Sequence, residues 1–434
     1  MSELKPYPKY KDSGVEWIGE IPEHWSVKPL FTILEEVKNK NKELKVSNVL
    51  SLSYGKITKR DIEKNYGLLP ANFRNYNIVN PGYIVMRLTD LQNDKRSLRV
   101  GYVKERGVIT SAYVTLSLKK RHDYYNRYLY FLLHIYDIKK IYYGLGDGVR
   151  QTMNFNDLKW LPILEYNNEE TIKIALYLDS KVSHINSLIH NKKRLIELLE
   201  EKRQAIITET VTKGLNPNVE MKDSGIDWIG EIPEHWEEIK LKYATNLRNT
   251  KTEENLPYLG LENVTSQSGK IVNFNNDNEI RGSNLRFYEN DILFGKLRPY
   301  LAKCVIAPTE GRCSSEFLVL VVHKSTLDNN YLKYLMLNNK FIEKVNSSTY
   351  GARMPRANWD FIKNIKIPLP SLQEQKKIAN SIENIHEEID LLIKKINIQI
   401  SKLKEYRESL IYEAVTGKID LRNYEPKGDI DEAH

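Results

Sequence analysis

The chain is written twice, and no other feature limits its fold as much. Residues 11–25 read KDSGVEWIGEIPEHW and residues 222–236 read KDSGIDWIGEIPEHW, identical at thirteen of fifteen positions and offset by 222 − 11 = 211 residues. The far ends of the halves match as well. Gly148-Val-Arg150, with Asp157 after it, pairs with Gly351-Ala-Arg353 and Asp360 at an offset of 203, and Glu209-Thr-Val-Thr212 pairs with Glu413-Ala-Val-Thr416 at 204. The drift from 211 to 203 puts eight extra residues into the first half, between Trp25 and Gly148. Two units of 434/2 = 217 residues are too long and too few for a solenoid. Between the matched ends only fragments align, such as Gly107 and Ser111 with Gly311 and Ser315. Matched ends around unmatched middles fit either one frame carrying two reading surfaces or duplication followed by drift.

The frame is helical. Over residues 169–212 the apolar positions Val182, Ile185, Ile189, Ile196, Leu199 and Ile206 keep heptad spacing. Over 373–416 Ile378, Ile382, Ile385, Ile389, Leu392, Ile396, Leu403 and Leu410 do the same. Steps of three and four align these residues on one helical seam, the coiled-coil pattern. Each stretch of 44 residues spans about 66 Å at a rise of ~1.5 Å per residue. Proline (Pro162; Pro368 and Pro370) precedes both stretches, and Gly214 and Gly417 follow them as caps. Two equal stretches in one chain most simply pair with each other, antiparallel, after a globular insert. Lys192 and Arg203 interrupt the first seam and Arg407 the second, either to set register or as tolerated imperfections with snorkelling stems. Residues 78–88, 107–118 and 318–323 read as strands, and 124–141 and 328–345 as helices packed on the sheets. The predicted class is α+β: two pseudo-two-fold related globular α/β domains separated by a pair of long antiparallel coiled-coil helices.

Composition removes several classes of function. Cys304 and Cys313 are the only cysteines, too few for a disulfide framework and too far apart for a CxxC zinc site. No run of eighteen apolar residues exists, and the first residues lack the apolar core of a signal peptide, so the expected setting is the reducing cytoplasm, away from membranes. Phosphate loop, HExxH and GxSxG signatures are absent, as is the Asn-Pro-Pro-aromatic run of base-flipping methylases. Gly144-Leu-Gly146-Asp-Gly148 follows a tyrosine-rich helix rather than a strand, which makes it a plain loop. His24 and His235, in identical Glu-His-Trp runs, suit the packing and capping of the repeated tryptophan better than catalysis. No cofactor, metal or catalytic residue is expected.

Basic and polar surface remains, and it lies in the unmatched middles. Net charge over the chain is only 65 − 57 = +8, but residues 81–121 alone carry nine Lys/Arg against three acids, or +6. Within them Thr89-Asp-Leu-Gln92-Asn93-Asp-Lys95-Arg96 offers the groups that read base edges: Arg and Lys for guanine, Asn and Gln for adenine, acids for cytosine. In the second half Phe294-Gly-Lys296-Leu-Arg298-Pro-Tyr300-Leu-Ala-Lys303 sets cations beside an aromatic ring, and Arg353 and Arg356 add to them. Twenty-seven tyrosines also fit a surface that meets bases and sugars. Each cluster alone is also what a solvated charged face looks like.

With these residues in view the chain resembles the DNA-specificity subunits of type I restriction–modification systems. The likeness is carried by the doubled GEIPEHW, the Arg150…Asn-Asp157-Leu158 and Arg353…Trp-Asp360-Phe361 segments, Ile367-Pro-Leu-Pro-Ser-Leu-Gln-Glu-Gln375, and Thr416-Gly-Lys-Ile-Asp420. PGYIVMRLTDLQNDKRSLRVG and GVITSAY are similar to family text too. The central segment from Leu161 to Glu170 departs from the Pro-Leu-Pro…Glu-Gln pattern. The resemblance implies two target recognition domains, 1–162 and 216–368, each reading half of a bipartite asymmetric DNA site, with repeat helices in 163–215 and 369–434 that set the spacer. It implies two modification (methyltransferase) subunits docked on the frame and restriction (translocase-nuclease) subunits that join them, while this chain is non-catalytic. Arg87, Gln92, Lys95 and Arg99 are then expected to face DNA in the first domain, and Lys296, Arg298, Tyr300 and Lys303 in the second. Arg150 and Arg353 are suited either to phosphate contact or to bracing the helix junction. Helix pairing is assigned to Ile185, Ile189, Ile196, Leu199 and Ile206 against Ile389, Leu392, Ile396, Leu403 and Leu410. Two other readings compete: a coiled-coil scaffold without DNA readout, and a single-chain restriction–methylation enzyme.

Overall fold

The computed structural model describes residues 5–61, 72–94, 96–120, 124–145, 152–272, 274, 284–351 and 353–426. Two compact units make up the chain, one from Met1–Asn191 with Gln399–His434, the other from Lys192–Ile398. The fold is α+β.

The first unit opens on a hairpin, Tyr10–Asp12 with Glu20–Pro22, which contains most of the repeated motif. Ser26–Pro29 then pairs antiparallel with Pro162–Glu165, so the domain's first residues lie on its last strand. Between them stands an antiparallel sheet in the order Leu34–Glu36, Val114–Leu118, Ile84–Met86, Val100–Tyr102. A smaller pair, Asn77–Val79 with Gly107–Ile109, stands beside it, and Leu50, Val79, Val85, Val103 and Ile109 form a buried cluster. The apolar run at 78–88 is therefore cut in two. Gly82 takes φ +92°, a left-handed turn that sends Asn77–Val79 and Ile84–Met86 into different sheets. Helix Tyr125–Ile138 packs on the strand Val100–Tyr102 with Tyr128, Leu129, Leu132 and Leu133 fully buried.

The second unit repeats this plan. Its hairpin is Met221–Asp223 with Glu231–Pro233, its closing pair is Glu237–Lys240 with Lys366–Leu369, and its sheet runs Thr245–Arg248, Phe317–Val322, Ile292–Gly295, Cys304–Ile306. Registers agree strand for strand: Met86 faces Val100 as Phe294 faces Cys304, and Ile84 faces Leu116 as Ile292 faces Leu320. The sequences in the middle have diverged while the topology has not. The smaller sheet has grown to four strands, Lys251–Thr252, Asn284–Phe287, Gly311–Cys313 and a parallel Tyr258–Leu259. In the first unit single bridges, Lys40 with Asn77 and Val49 with Val108, stand where these outer strands would be. The helical run at 328–345 is two helices, Asn329–Leu337 and Asn339–Asn346, because buried Asn338 stays extended and caps the second through Lys340 N–H.

The register also locates the extra length. The offset is 294 − 86 = 208 before the third sheet strand turns and 304 − 100 = 204 after it, so four of the extra residues of the first half lie in that one turn. The short helices after the variable middles, Phe155–Leu158 and Trp359–Ile362, are capped by Asn154 and Asn358. Those caps differ by 204, so Asp360 corresponds to Asn156 and not to Asp157, one residue from the match that sequence comparison gives.

Two long helices, Asn168–Lys213 and Leu372–Val415, contribute one segment each to both units. In the first unit Glu170 at the start of one helix and Gly417 just past the end of the other both meet Trp25, and farther along Arg407 donates to Asn186 Oδ1 at 2.6 Å. In the second, Gly214 and Glu374 meet beside Trp236, and Arg203 donates to Asp390. The segments are antiparallel in each case, and 186 + 407 and 203 + 390 give the same sum, 593. Arg203 and Arg407, two of the basic residues that interrupt the seams, are thus register pins between the helices. Gly214 and Gly417, at φ +77° and +71°, end the helices in the left-handed conformation.

Of the pairing positions, Ile185, Ile189, Ile389, Ile396 and Leu410 are buried and Ile196, Leu199, Ile206 and Leu403 half-buried. Leu392 is not on the seam: it is 46% exposed. The second helix turns His386, Ile393, Ile400 and Arg407 inward between Ile382, Ile389, Ile396, Leu403 and Leu410. Three apolar residues in a row, Leu391, Leu392 and Ile393, satisfy several heptad phases, and packing selects the third.

Candidate nucleic-acid interface

The repeated motif has a structural role. Glu170, buried in the first turn of its helix, accepts hydrogen bonds from Trp25 Nε1 (3.1 Å) and from Tyr7, and His24 Nε2 lies 2.9 Å from its other oxygen. In the second copy His235 Nε2 lies 3.1 Å from Glu374, while buried Trp236 Nε1 has no hydrogen-bond partner among the described residues. Many tyrosines belong to the frame as well. Tyr128 donates to the terminal carbonyl of Val415 at 3.2 Å, and its counterpart Tyr331 donates to Val211 at 3.3 Å and to Pro368 at 3.1 Å. These hydroxyls satisfy carbonyls that a helix end leaves open. Burial pushes the Tyr128 and Tyr331 phenols well above their usual range. The expected link between tyrosine and a nucleic-acid surface does not hold for them.

Neither cysteine is placed to act as a nucleophile. Cys304 and Cys313 are buried, and burial pushes both thiols up to about 12. Among the described residues no group of three or more His, Cys, Asp or Glu could hold a metal ion. No described helix is long and apolar enough to cross a membrane.

The turn after the third sheet strand holds exposed basic side chains in both units, Arg96 in the first and Arg298 in the second. In the second unit Lys296 and Arg298 follow Ile292–Gly295, and backbone bonds tie this turn to residues 350–357: Arg298 N to Pro355 O at 2.7 Å, and Ala357 N to Lys296 O at 2.8 Å. This lacing brings Arg298 and Tyr300 into one surface region with Arg353, Tyr350 and Met354. All five are exposed, Tyr300 by 48%, Tyr350 by 62% and Met354 by 53%. Arg298 has φ +51°, a strained backbone for a side chain and the kind of cost found at functional turns. Lys296 is half-buried. Tyr350 and Met354 are missing from the candidates drawn from sequence. Their position beside Arg353 was visible there, but their proximity to residue 298 depends on long-range pairing.

Two cations of this unit are committed elsewhere. Lys303 Nζ donates to Leu261 O at 2.6 Å, so its ammonium caps a backbone carbonyl. Arg356 forms a bidentate pair with Glu316, at 2.9 to 3.2 Å.

In the first unit the same turn is longer and presents Gln92, Asn93 and Arg96, all exposed. Arg87 is half-buried, its N–H bound to Arg99 O at 2.9 Å as Gly295 N is to Lys303 O at 2.8 Å. Arg99 does not face solvent. It is fully buried, with its guanidinium spent on backbone carbonyls of the turn. The sequence could not separate it from Arg96, since both lie in one basic stretch and only the strand register turns residue 99 inward. Lys95 and Arg150 lie outside the described residues, as does most of the glycine-rich loop at 144–148.

The chain is similar to several known proteins. The profile of the "Type I restriction modification DNA specificity domain" matches residues 229–402. The chain is 23% identical over 313 residues to the Type I restriction enzyme EcoDI specificity subunit of Escherichia coli, covering 67% of this chain and 70% of that protein. It is 24% identical over 431 residues to the Type I restriction enzyme MjaVIII specificity subunit of Methanocaldococcus jannaschii, covering 93% and 95%. A chain solved in a study of complex assembly and conformational transition of the type I R-M system shares the fold, with a TM-score of 0.66 at 13% identity over 92% of this chain and 99% of the other.

Proposed function

We propose, from its likeness to the DNA-specificity subunits of type I restriction–modification systems, that this chain is such a subunit and that each of its units reads one half of a bipartite, asymmetric DNA target. Residues 1–162 and 216–368 are the two readers. The helices in 163–215 and 369–434 set the unspecified spacer and dock two methyltransferase subunits, which restriction subunits join. The chain chooses the sequence and its partners carry out the chemistry.

One observation carries this reading. At equivalent strand registers, two units of one topology display turns that differ in length and in exposed side chains: Gln92, Asn93 and Arg96 in one, Arg298 and Tyr300 in the other. Invariant framework with variable turns is how one fold serves two recognition tasks. Arg298, Tyr300, Lys296 and Arg353 approach DNA in the second half, and Arg87, Gln92, Lys95 and Arg150 in the first. Lysines and arginines supply salt-dependent phosphate contacts, while a few side chains discriminate bases. A bidentate arginine–guanine contact is worth about 1–3 kcal/mol of discrimination.

The test uses Arg298→Ala and duplexes altered in one half-site at a time. The substitution should weaken binding through the second half only, leaving the penalty for errors in the first half unchanged. Equal loss on duplexes altered in either half contradicts the assignment.

A further inference from the structure

We propose that Arg99 is a positioning residue for DNA readout: a buried clamp that holds the turn between Arg87 and Arg99 in its reading shape without touching DNA. The inference rests on the proposed reading of the first half-site by that turn.

The geometry is specific to the guanidinium. Nη1 donates to the carbonyls of Arg87 (3.2 Å) and Thr89 (2.7 Å), Nη2 to those of Asp90 (3.1 Å) and Asp94, and Nε to Tyr143 Oη at 3.0 Å. All five donors of the planar fork are used, and four of the bonds reach the backbone of one turn. The backbone N–H of Arg99 is bound by Asp137, itself fully buried, so the root of the side chain is anchored as well. Tyr143 Oη also donates to Asp94 O at 3.2 Å, which closes the ring of contacts.

The flanks of the turn are tied elsewhere, Met153 N–H to Leu88 O at 2.9 Å and Gly55 N–H to Leu98 O at 3.0 Å, and Leu91 is buried beneath it. Among the described residues from Thr89 to Ser97, the bonds outside the clamp are short-range: Asn93 to Asp90 Oδ1 at 2.7 Å, and Ser97 N–H to Asp94 Oδ1 at 3.0 Å. Asp90 takes φ +57°, a conformation that persists only where surroundings over-determine it. Gln92, Asn93 and Arg96 point to solvent and offer the turn no packing. A reader made of exposed polar groups must be held from beneath if its donors are to meet base edges at fixed spacing.

The second unit supports this by contrast. The register equivalent of Arg99 is Lys303, whose ammonium makes one bond, to Leu261 O at 2.6 Å. Its turn spans 303 − 295 = 8 residues against 99 − 87 = 12 in the first unit. The longer turn has the multidentate clamp, and the shorter one manages with a point charge.

The experiment compares the full chain with R99K and Y143F, each expressed in cells with its partner methyltransferase. Adenine-methylation sequencing reads the target, and amide exchange of the purified chain reads the order of residues 88–98. Lysine keeps the charge but not the fork. R99K should therefore raise exchange in that segment by about tenfold or more, and should relax base preference in the first half of the motif while leaving the second half unchanged. Y143F removes the acceptor for Arg99 Nε and the donor to Asp94 O and should give a smaller change of the same kind, which covers the case in which R99K does not fold. Unchanged exchange in both variants overturns the clamp. Faster exchange with an unchanged first-half motif, or relaxation of both halves together, overturns its role in readout. A wild-type chain that directs no split motif instead overturns the underlying reading, and the exchange data still decide the clamp.

Discussion

Asp390→Ala should destabilise the second unit more than Arg203→Met does, although the two side chains form one ion pair. Arg203 is 3% exposed on the seam of its helix; it donates to Asp390 and lies 3.1 Å from Glu200. Asp390 is 31% exposed and is also paired with Lys270. Removing the aspartate leaves a guanidinium buried with only Glu200, 42% exposed, to answer it. Breaking a buried pair in this way costs about 3–5 kcal/mol. Methionine at 203 instead fills most of the volume with an apolar chain and leaves Asp390 its lysine, so the cost falls to about 1–2 kcal/mol. The unit spans 398 − 192 + 1 = 207 residues, a size at which each kcal/mol moves Tm by about 2–4 °C. The aspartate variant should then melt about 6–20 °C lower and the arginine variant about 2–8 °C lower. Urea titration of the full chain, followed by calorimetry, measures both. The double variant should recover most of the loss, because neither charge is left alone. Equal effects of the two single variants, or a double variant at the sum of both, would refute the assignment of Arg203 as a buried charge dependent on Asp390.

Other consequences concern the two copies of the frame and the acid limit of stability. Glu170→Ala strands three donors and should cost about 3 kcal/mol or more, whereas Glu374→Ala, losing only an exposed histidine contact, should cost about 1 kcal/mol or less; denaturant titration ranks them. Burial, reinforced by Arg407 and Arg127, lowers the His134 pKa to about 4, and burial with Arg203 does the same to His386. Both imidazoles stay neutral in the folded chain while the unfolded chain takes up protons below about 6.5. Stability should be intact above pH 6.5 and fall as pH drops toward 4, by up to about 3 kcal/mol per histidine. Asp137 and Asp179, raised by burial, oppose this fall. Replacing both histidines by phenylalanine or leucine should flatten the profile between those limits, and an unchanged slope counts against them as its source. Arg298→Ala, if that side chain meets a phosphate, should also reduce the salt dependence of binding by about one counterion.

The frame could be read from the sequence because its signals are local and repeated. Heptad spacing set both helices to within two residues of their ends, and Gly214 and Gly417 cap them. The doubled GEIPEHW marked the junctions, although its partner Glu170 lies 145 residues from Trp25 and was invisible without contacts. Leu392 shows the limit of periodicity, since adjacent leucines satisfy several phases and only the opposing helix decides. Arg99 and Lys303 show the limit of composition. Each stands in the basic stretch around its turn, but strand register sends both side chains to backbone carbonyls rather than outward. Arg298 and Arg353 could be picked separately, but their proximity depends on the pairing of residues 296–298 with 355–357. Shared topology beneath unmatched sequence was hidden for the same reason, since a sheet needs buried apolar residues in register and not any particular ones.

The central claim is that two different readers in one chain select a split DNA target. Adenine-methylation sequencing of cells carrying the partner methyltransferase, with and without this chain, tests it most directly. The predicted result is one motif of two unlike halves separated by unspecified bases, present only with the chain, and altered in its second half alone by Arg298→Ala. A methylation pattern that does not depend on the chain, or a single continuous motif, would contradict it.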